Sequence, residues 1–428
     1  MRLGLSIFRG RRNVPRGAAG GEVERVLVSG DTLYALKSRA ESVSAAASKG
    51  ARMTLLIAWR NLVHDRIRFA ITLTGIAFST ILMGIQLGML LNFVHTISTV
   101  VDHAGADLWI TAEGVPSVDL ATPLQERRRF QALSVEGVAA AEPYMLHFGF
   151  LKRPDGVRQI VIVIGIDPDS TMGLPFAMVE GPSAKEALAE PDGAVIDRLY
   201  ADKLGIRTLG ETVEINSHRI RVVGFTDGIR TFTQAPYVFM SLAKARSFFY
   251  APDNDIAYVL VRVAEGYRPE AVAEALAARM SEVEVLTAGQ LAWRSQYYWL
   301  VTTGAGITLV SSTLLALLVG VVIVAQTLYA STMDRLPEYA VIRAMGGPRS
   351  YLYRIIVQQA VLGGVFGAAI GLGVIGVVVI FTRNLSSAPE VPLWLAFGIV
   401  VATMLMCVAA SIGSIGKVMT IDPVKVFR

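Results

Sequence analysis

Four stretches of the chain are almost unbroken runs of apolar residues, each longer than the roughly 20 residues a helix needs to cross about 30 Å of hydrocarbon. They fall at about Phe69 to Val94, Thr302 to Leu328, Ile355 to Phe381 and Pro392 to Ile415. The long segment between the first two has a different rhythm, in which alternating and β-branched runs recur between turn signals. Asp107 to Thr111, Gln159 to Ile166, Ala194 to Asp197, Thr212 to Ile215, Ile220 to Phe225, Tyr237 to Met240 and Ala257 to Val263 are predicted as strands. Pro269 to Met280 is predicted as a helix with proline in its first turn, and weaker helical pattern covers Ala184 to Ala189, Leu199 to Lys203 and Leu242 to Phe249. The expectation is an α-helical integral membrane protein of four transmembrane helices, with a large α+β extracytoplasmic domain inserted between the first two.

Composition agrees: 53% hydrophobic and only 18% charged residues exceed what a soluble chain of this length carries. The net charge of +5 would suggest nucleic-acid binding were it not concentrated at one end. Residues 1–50 hold 9 Lys and Arg against 4 Asp and Glu, and the remainder is balanced at 31 each. A basic tail beside a membrane points to anionic lipid as its partner, not nucleic acid. Arg2, Arg9, Arg11, Arg12 and Arg16 lie among Gly and Ala with no unbroken apolar core, so this is not a secretory signal. The tail is expected to be disordered, with a short helix around Leu33 to Ala47, or else to reflect a misassigned start.

Orientation follows from the flanks of the spans. Arg52, Arg60, Arg66 and Arg68 precede the first; Arg335, Arg343, Arg349 and Arg354 lie between the second and third; Lys417, Lys425 and Arg428 follow the fourth. Both termini are therefore expected in the cytoplasm. Trp293, Tyr297, Tyr298, Trp299 and Trp394 read as an aromatic belt at the outer interface. The division is then a tail (1–50), a lead-in helix with the first span (51–98), the outer domain (99–298) and the second span (299–332). A cytoplasmic loop (333–350), third span (351–382), short outer loop (383–391) and fourth span with C-terminus (392–428) complete it.

Catalytic patterns are sparse. A phosphate-cradling loop needs Gly-x-x-x-x-Gly-Lys-Ser/Thr, and at Gly416-Lys417 the first glycine is replaced by Ser411 and the hydroxyl by Val418. Lys417 is better read as a positive-inside anchor. His64, His95, His103, His147 and His218 show no metal-ligand spacing; His95 and His103, both near the outer interface, are the pair that could meet a metal, and a plain interfacial role is the simpler reading. The lone Cys407 lies in an apolar run, so disulfide and thiolate-cluster chemistry within one chain is excluded. No nucleophile signature appears.

No span carries Asp, Glu, Lys or Arg in its core, which argues against a proton- or ion-coupled carrier. Gln86, Ser311, Ser312, Thr313, Gln326, Gln358 and Gln359 are the uncharged polar residues there, suited to interhelical hydrogen bonds. Gly363, Gly367 and Gly371 form a small-residue stripe for helix packing, within or between subunits.

The loop from Met333 to Arg354 is the most informative stretch. Pro337 disfavours helix at Leu336, so the second span should stop there. Glu338 then suits the start of a helix of about two turns to Met345, with Ala340, Val341, Ala344 and Met345 on one side, Gly346-Gly347 ending it and Pro348 starting the next. A short amphipathic helix between two spans suits docking into a groove of a cytoplasmic partner, or lies on the membrane as a connector.

With these residues in place, the chain from Ala51 to Arg428 resembles the FtsX/MacB-type ABC transporter permease superfamily, and within it DevC-like exporter permeases. Ala58-Trp59-Arg60-Asn61-Leu62, with Arg66, Arg68 and Leu73-Thr74-Gly75-Ile76, is similar to the family's lead into the first span. Glu338 to Gly347 resembles its coupling segment, and Asp422-Pro423-Val424 with Arg428 its closing motif; Gly165-Ile166-Asp167-Pro168-Asp169 and Val179-Glu180-Gly181 look DevC-like. Ala340 stands where the family commonly has glycine. The resemblance implies a permease dimer in a bacterial inner membrane, joined to a separate ATP-binding cassette subunit that binds ATP and Mg, often with a periplasmic membrane-fusion adaptor. It implies no cofactor in this chain, and export of a lipid, glycolipid, peptide or drug-like molecule by mechanotransmission. Glu338, Tyr339, Val341, Ile342, Arg343, Ala344 and Met345 are the residues it points to for contact with the ATPase. A membrane-anchored extracytoplasmic sensor without transport activity is the alternative, and a membrane enzyme would need a site the sequence does not display.

Overall fold

The computed structural model describes residues 66–249, 255–346, 348–385 and 387–418. The helix expected around Leu33 to Ala47, the Ala58 to Leu62 motif and the closing motif Asp422 to Arg428 lie outside them. Among the described residues, four helices are long and apolar enough to cross a membrane. They are α1 (Arg66–His103), α8 (Gly304–Asp334), α10 (Arg349–Thr382) and α11 (Leu393–Val418). In chain order, the sheet-forming residues lie between α1 and α8.

Helix α1 continues to His103, nine residues past its expected end. Its last turns are amphipathic: Val100 and Val101, with Ala104 just past the helix, bury into the core of the α+β domain, while Asp102 and His103 are exposed. The extension runs beside α7 (Ala288–Tyr297), where Gln296 Nε2 donates to Ser98 Oγ at 3.0 Å. The first helix therefore belongs to both the apolar bundle and the domain.

Among the described residues, the domain contains a mixed sheet of ten strands. The seven predicted strands form within two residues of their expected ends, as β1 (Leu108–Ala112), β4 (Arg158–Ile166), β6 (Gly193–Asp197), β7 (Thr212–Ile215), β8 (His218–Thr226), β9 (Tyr237–Ser241) and β11 (Tyr258–Val263). The sheet also contains β3 (Val138–Lys152), β5 (Met178–Glu180) and β12 (Val283–Thr287), which the pattern does not announce. The short pair β2 (Leu124–Gln125) and β10 (Asp255–Ile256) stands apart. Strand order is β12-β1-β11-β3-β4-β9-β6-β8-β5, with β7 pairing β3 and β8. The β4–β9 and β6–β8 pairs are parallel, which requires crossovers, and the others are antiparallel.

Both faces of this sheet are covered, which is why β4 reads as a continuous apolar run. Ile162, Ile164 and Ile166 pack with Trp109, Tyr144 and Tyr258 on the face beneath α1 and α7. The alternate residues Val161 and Val163 point to the other face, against Leu242, Ala245 and Phe248 at and beyond the start of α5 (Leu242–Phe249). On the same principle Trp109 faces one core and its neighbours Leu108 and Ile110 the other, where α6 (Pro269–Arg279) supplies Val272 and Leu276. Each fully buried Val, Leu or Ile contributes about 1.5–3 kcal/mol, so a side chain moved to the wrong face is strongly disfavoured. The remaining helices are α2 (Arg127–Leu133), α3 (Ala184–Ala189) and α4 (Ala201–Leu204).

Within the apolar bundle, the glycine stripe of α10 seats against α1. A Cβ on Gly367 would come within 2.5 Å of Ile76, and one on Gly371 within 2.7 Å of Thr80. Ser79 Oγ donates to the Gly320 carbonyl of α8 at 3.2 Å, and Thr80 and Thr403 hydroxyls meet at 3.3 Å between α1 and α11. The bundle is thus held by close backbone approach and a few neutral hydrogen bonds.

Candidate functional site

After α8 ends at Asp334, the chain turns at Arg335 (φ −96°, ψ 7°) and starts α9, Leu336–Ala344. The helix begins two residues earlier than expected, with Pro337 inside its first turn. Proline is tolerated there because a first-turn N–H has no intrahelical acceptor to lose. Met345 N–H still donates to the Val341 carbonyl at 3.0 Å, and Gly346 ends the element at φ +88°, a conformation that favours glycine. Pro348 is the residue before α10, not its first turn as expected; its extended backbone (ψ 151°) caps the helix that Arg349 opens.

The burial of α9 divides the expected contact residues. Tyr339 is 1% exposed and packs with Leu352, Ile355 and Ile356 of α10; its hydroxyl donates to Gln359 Oε1 at 3.0 Å. Ala340 is buried beside it. Tyr339, expected to face a partner, is therefore taken up by the chain itself and anchors α9 to the start of α10. Burial raises its phenol to about 12, so it is neutral and able to donate. Glu338, Val341 and Met345 are exposed, the last two at 44% and 75%. Their spacing of three and four residues places them along one face. Ile342, Arg343 and Ala344 complete the helix.

At the opposite end of α8 the chain is pinned. Between α7 and α8, residues Tyr298–Thr302 form a π-helical turn, a distortion common at working sites. It turns Trp299, expected in an aromatic belt, toward the domain, where its indole Nε1 donates to Ser117 Oγ and Asp119 Oδ1, both at 3.0 Å. Ser117 also donates to Asp119. Val118 N–H donates to Ser295 Oγ at 3.0 Å, and Tyr258 donates to the Val118 carbonyl at 2.7 Å. Asp119 is 4% exposed, and Oδ2 has no hydrogen-bond partner among the described residues. Desolvation pushes its carboxyl above the ordinary range, opposed by the Ser117 and Trp299 hydrogen bonds. Trp293 and Tyr297, by contrast, are exposed and stack on each other at 5.3 Å, as interfacial residues would. The only sequence trace of the pinned turn is Gly306, where any Cβ would strike the Trp299 carbonyl.

The two histidines weighed as a metal pair are separately engaged. His95 Nδ1 lies 2.9 Å from Glu390 Oε2, and His103 bonds to the Thr99 carbonyl and stacks on Phe176. No group of three metal-ligating side chains forms among the described residues.

Among the described residues, four membrane-length apolar helices, a mixed-sheet α+β domain and a short helix between two of the long ones have the make-up of a multi-span membrane protein. Residues 69–279 match the MacB-like periplasmic core domain, and residues 310–423 match the FtsX-like permease C-terminal domain. The chain belongs to the FtsX/MacB-like family of ABC transporter permeases. The ABC transporter permease Rv0072 of Mycobacterium tuberculosis is 24% identical over 386 residues, which span 87% of this chain and 99% of that protein. A second, Rv2563 of the same organism, is 23% identical over 383 residues, 87% of this chain and 97% of that one. The periplasmic region of MacB from Actinobacillus actinomycetemcomitans aligns at 12% identity with a TM-score of 0.35, covering 45% of this chain and 94% of that chain.

Proposed function

We propose that this chain is the permease subunit of an ABC exporter of the DevC-like kind, and that α9 is where a separate ATPase subunit docks. The observation that carries the reading is the division of α9: Tyr339 fixes the helix to α10, while Glu338, Val341 and Met345 form a mixed acidic and apolar face with no partner among the described residues. A connector would turn the same face to water or lipid, and the substitution below separates the two. In this reading the α+β domain lies outside the cytoplasm of a bacterial inner membrane, inserted between the first two spans, with both termini inside. The arginine-rich flanks support that orientation. Two copies would pair, and the ATPase would hold ATP and Mg.

Closure of the ATPase subunits would push on α9 and hence on α8 and α10. Helix α8 is pinned through Trp299 to the domain, and α1 enters the domain core directly, so motion at α9 has a continuous packed route outward. A lipid, glycolipid, peptide or drug-like cargo could then be moved without a charged path through the bundle, and a periplasmic adaptor could receive it.

Val341→Asp tests the docking site. A carboxylate buried without a partner in a groove costs several kcal/mol, whereas on a solvated connector it reaches water. A loss of about 3 kcal/mol weakens association by about two powers of ten. The variant should insert and pair normally but lose the ATPase on purification and lose transport in cells. Full ATPase stoichiometry with unchanged transport would make α9 a connector.

A further inference from the structure

The hairpin of β3 and β4 carries an apolar face that the domain leaves uncovered. Away from its turn, Leu146, Ile162 and Ile164 point into the core shared with α1 and α7. Along the same face toward the turn, Phe148 lies opposite Ile162 and Phe150 opposite Ile160. Yet Phe148, Phe150 and Ile160 are 42%, 54% and 47% exposed. Side chains two apart on a strand share a face, so the three form one patch. The next pair in register is Lys152 opposite Arg158, both exposed. Like charges directly opposite on a strand pair repel. Glu214 comes only within 3.9 Å of Lys152, and Arg158 makes no ion pair among the described residues. A patch of this make-up fits contact with something both apolar and anionic.

The position of the hairpin narrows the partner. Strand β4 runs parallel to β9 with Ile162 beside Tyr237, and Ile162 N–H donates to the Pro236 carbonyl at 2.8 Å. Pro236 closes the loop between β8 and β9, and this loop is seated on the apolar bundle. Its Phe232 lies between Phe93 of α1 and Trp299, with ring centroids 5.8 and 4.6 Å away, and its Arg230 donates to the Arg383 carbonyl just past α10 at 2.7 Å. Phe232 and Gln234 also line, with Phe93 and Thr308 of α8, a cavity of about 340 Å³. Strand β9 leaves this loop heading away from the bundle. Residues 158–161 of the parallel β4, and 149–152 of β3 opposite them, therefore project back past the start of β9 toward the bundle. A second chain of contacts leads to the same place: Lys203 of α4 donates to the Gln234 carbonyl at 2.8 Å, and a Cβ on nearby Gly205 would lie 3.0 Å from Pro154 in the hairpin turn. The exposed patch is thus at the end of the domain where the membrane-length helices meet it.

A bilayer that takes in those helices presents its surface at that level, phosphates above an apolar interior. Aromatic and aliphatic side chains beside a basic pair match both layers. We propose that the β3–β4 hairpin rests on the surface of an anionic bilayer, in the leaflet next to the α+β domain. Phe148, Phe150 and Ile160 enter the ester region, and Lys152 and Arg158 hold headgroup phosphates. An anionic group between the two cations also relieves their repulsion. The bilayer is then a further support of the domain, beside α1 and the Trp299 turn, and lipid charge sets its strength. This contact requires only that the four helices cross a membrane, so it stands without an ATPase at α9 and without transport.

The test uses the full chain carrying Cys407→Ala, in nanodiscs of phosphatidylcholine alone or with phosphatidylglycerol added. Phe150→Cys reports on the patch, and Asp169→Cys, exposed beyond the other end of β4, is the control. For each, the rate of modification by a neutral, water-soluble maleimide is measured. Phosphatidylglycerol should slow the reaction of Phe150→Cys and leave that of Asp169→Cys unchanged. Lys152→Gln and Arg158→Gln should each weaken the slowing about fivefold. Equal rates at position 150 in the two lipids, or a slowing that survives both substitutions, would overturn the proposal. So would protection already complete in phosphatidylcholine together with disulfide formation between Phe150→Cys chains, because a second copy would then cover the patch. Thermal melting of each variant separates loss of contact from loss of fold, and Ile160→Cys on the opposite strand keeps the test decisive if Phe150→Cys does not fold.

Discussion

The two ends of α8 are built on opposite plans. At the end near Trp299, a π-helical turn, an indole, a buried carboxylate and a serine from another helix lock the chain to the domain, and almost every polar group has a partner. At the end near Arg335, one tyrosine and its apolar neighbours hold a two-turn helix whose other face is left open. A pinned end moves with its neighbour, and an open end can be moved by something else. The contrast is what a helix needs if it is to be driven at one end and to deliver displacement at the other.

The largest effect is expected at the open end, because there a single residue carries the anchoring. Tyr339→Ala removes a fully buried ring and should cost about 3 kcal/mol or more, read as a lower melting temperature of the purified chain and as loss of ATPase association. Tyr339→Phe, which removes only the hydrogen bond to Gln359, should cost about 1 kcal/mol and retain association. Unchanged melting of the alanine variant would show that α9 is held by something other than Tyr339.

At the pinned end, load is shared among several bonds, so each substitution should cost less. Trp299→Phe keeps the ring against Phe232 but takes a donor from Ser117 and Asp119, at about 1–3 kcal/mol for a buried acceptor left short of a partner. Amide exchange in residues 115–120 should accelerate while the remainder of the domain stays protected. Uniform acceleration across the sheet would mean that Trp299 supports the fold as a whole and the junction is not separable from it.

The smallest expected effect is on pH dependence. Burial raises the Asp119 carboxyl above its unfolded value, so the folded chain binds the proton more tightly than the unfolded chain. Stability from this group therefore falls as pH rises from the ordinary carboxylate range through the raised value, and is recovered on acidification. Asp119→Asn, which can still accept from Trp299, should remove that slope from the melting temperature in detergent. A slope that persists in full would assign it to another group, of which the equally buried Asp197, also raised by desolvation, is the first to test.

Much of this was legible in the residues. Four runs and their flanks announced the long helices, and alternation located seven strands because β-branched residues cluster where a sheet is covered on both faces. Strand β3 escaped: Val138–Lys152 contains an alanine run, Pro143 and Gly149, poor local strand formers that are held extended by β11 on one side and β4 on the other. Helix α7 escaped because its aromatic residues read as interfacial, when Leu291 and Ala292 were the buried pair. In α9, local signals gave the helix and its glycine stop, but grouping Ala340 with Val341 and Met345 on one side was wrong, since the position of α10 makes both Tyr339 and Ala340 inward residues.

By itself, then, the sequence determined the quantities that depend on neighbours along the chain: length of apolar run, periodicity, capping, and where positive charge flanks the spans. Tertiary structure alone decided that Trp299 is a lock, that Asp119 is desolvated, that the Gly363 to Gly371 stripe faces Ile76 and Thr80, and that residues of distant segments line one cavity. The physical reason is the same in each case. Hydrogen bonding, desolvation and close packing are set by what lies across space, and residues such as Phe93, Phe232 and Thr308, far apart in the chain, carry no local mark of the neighbours they will meet.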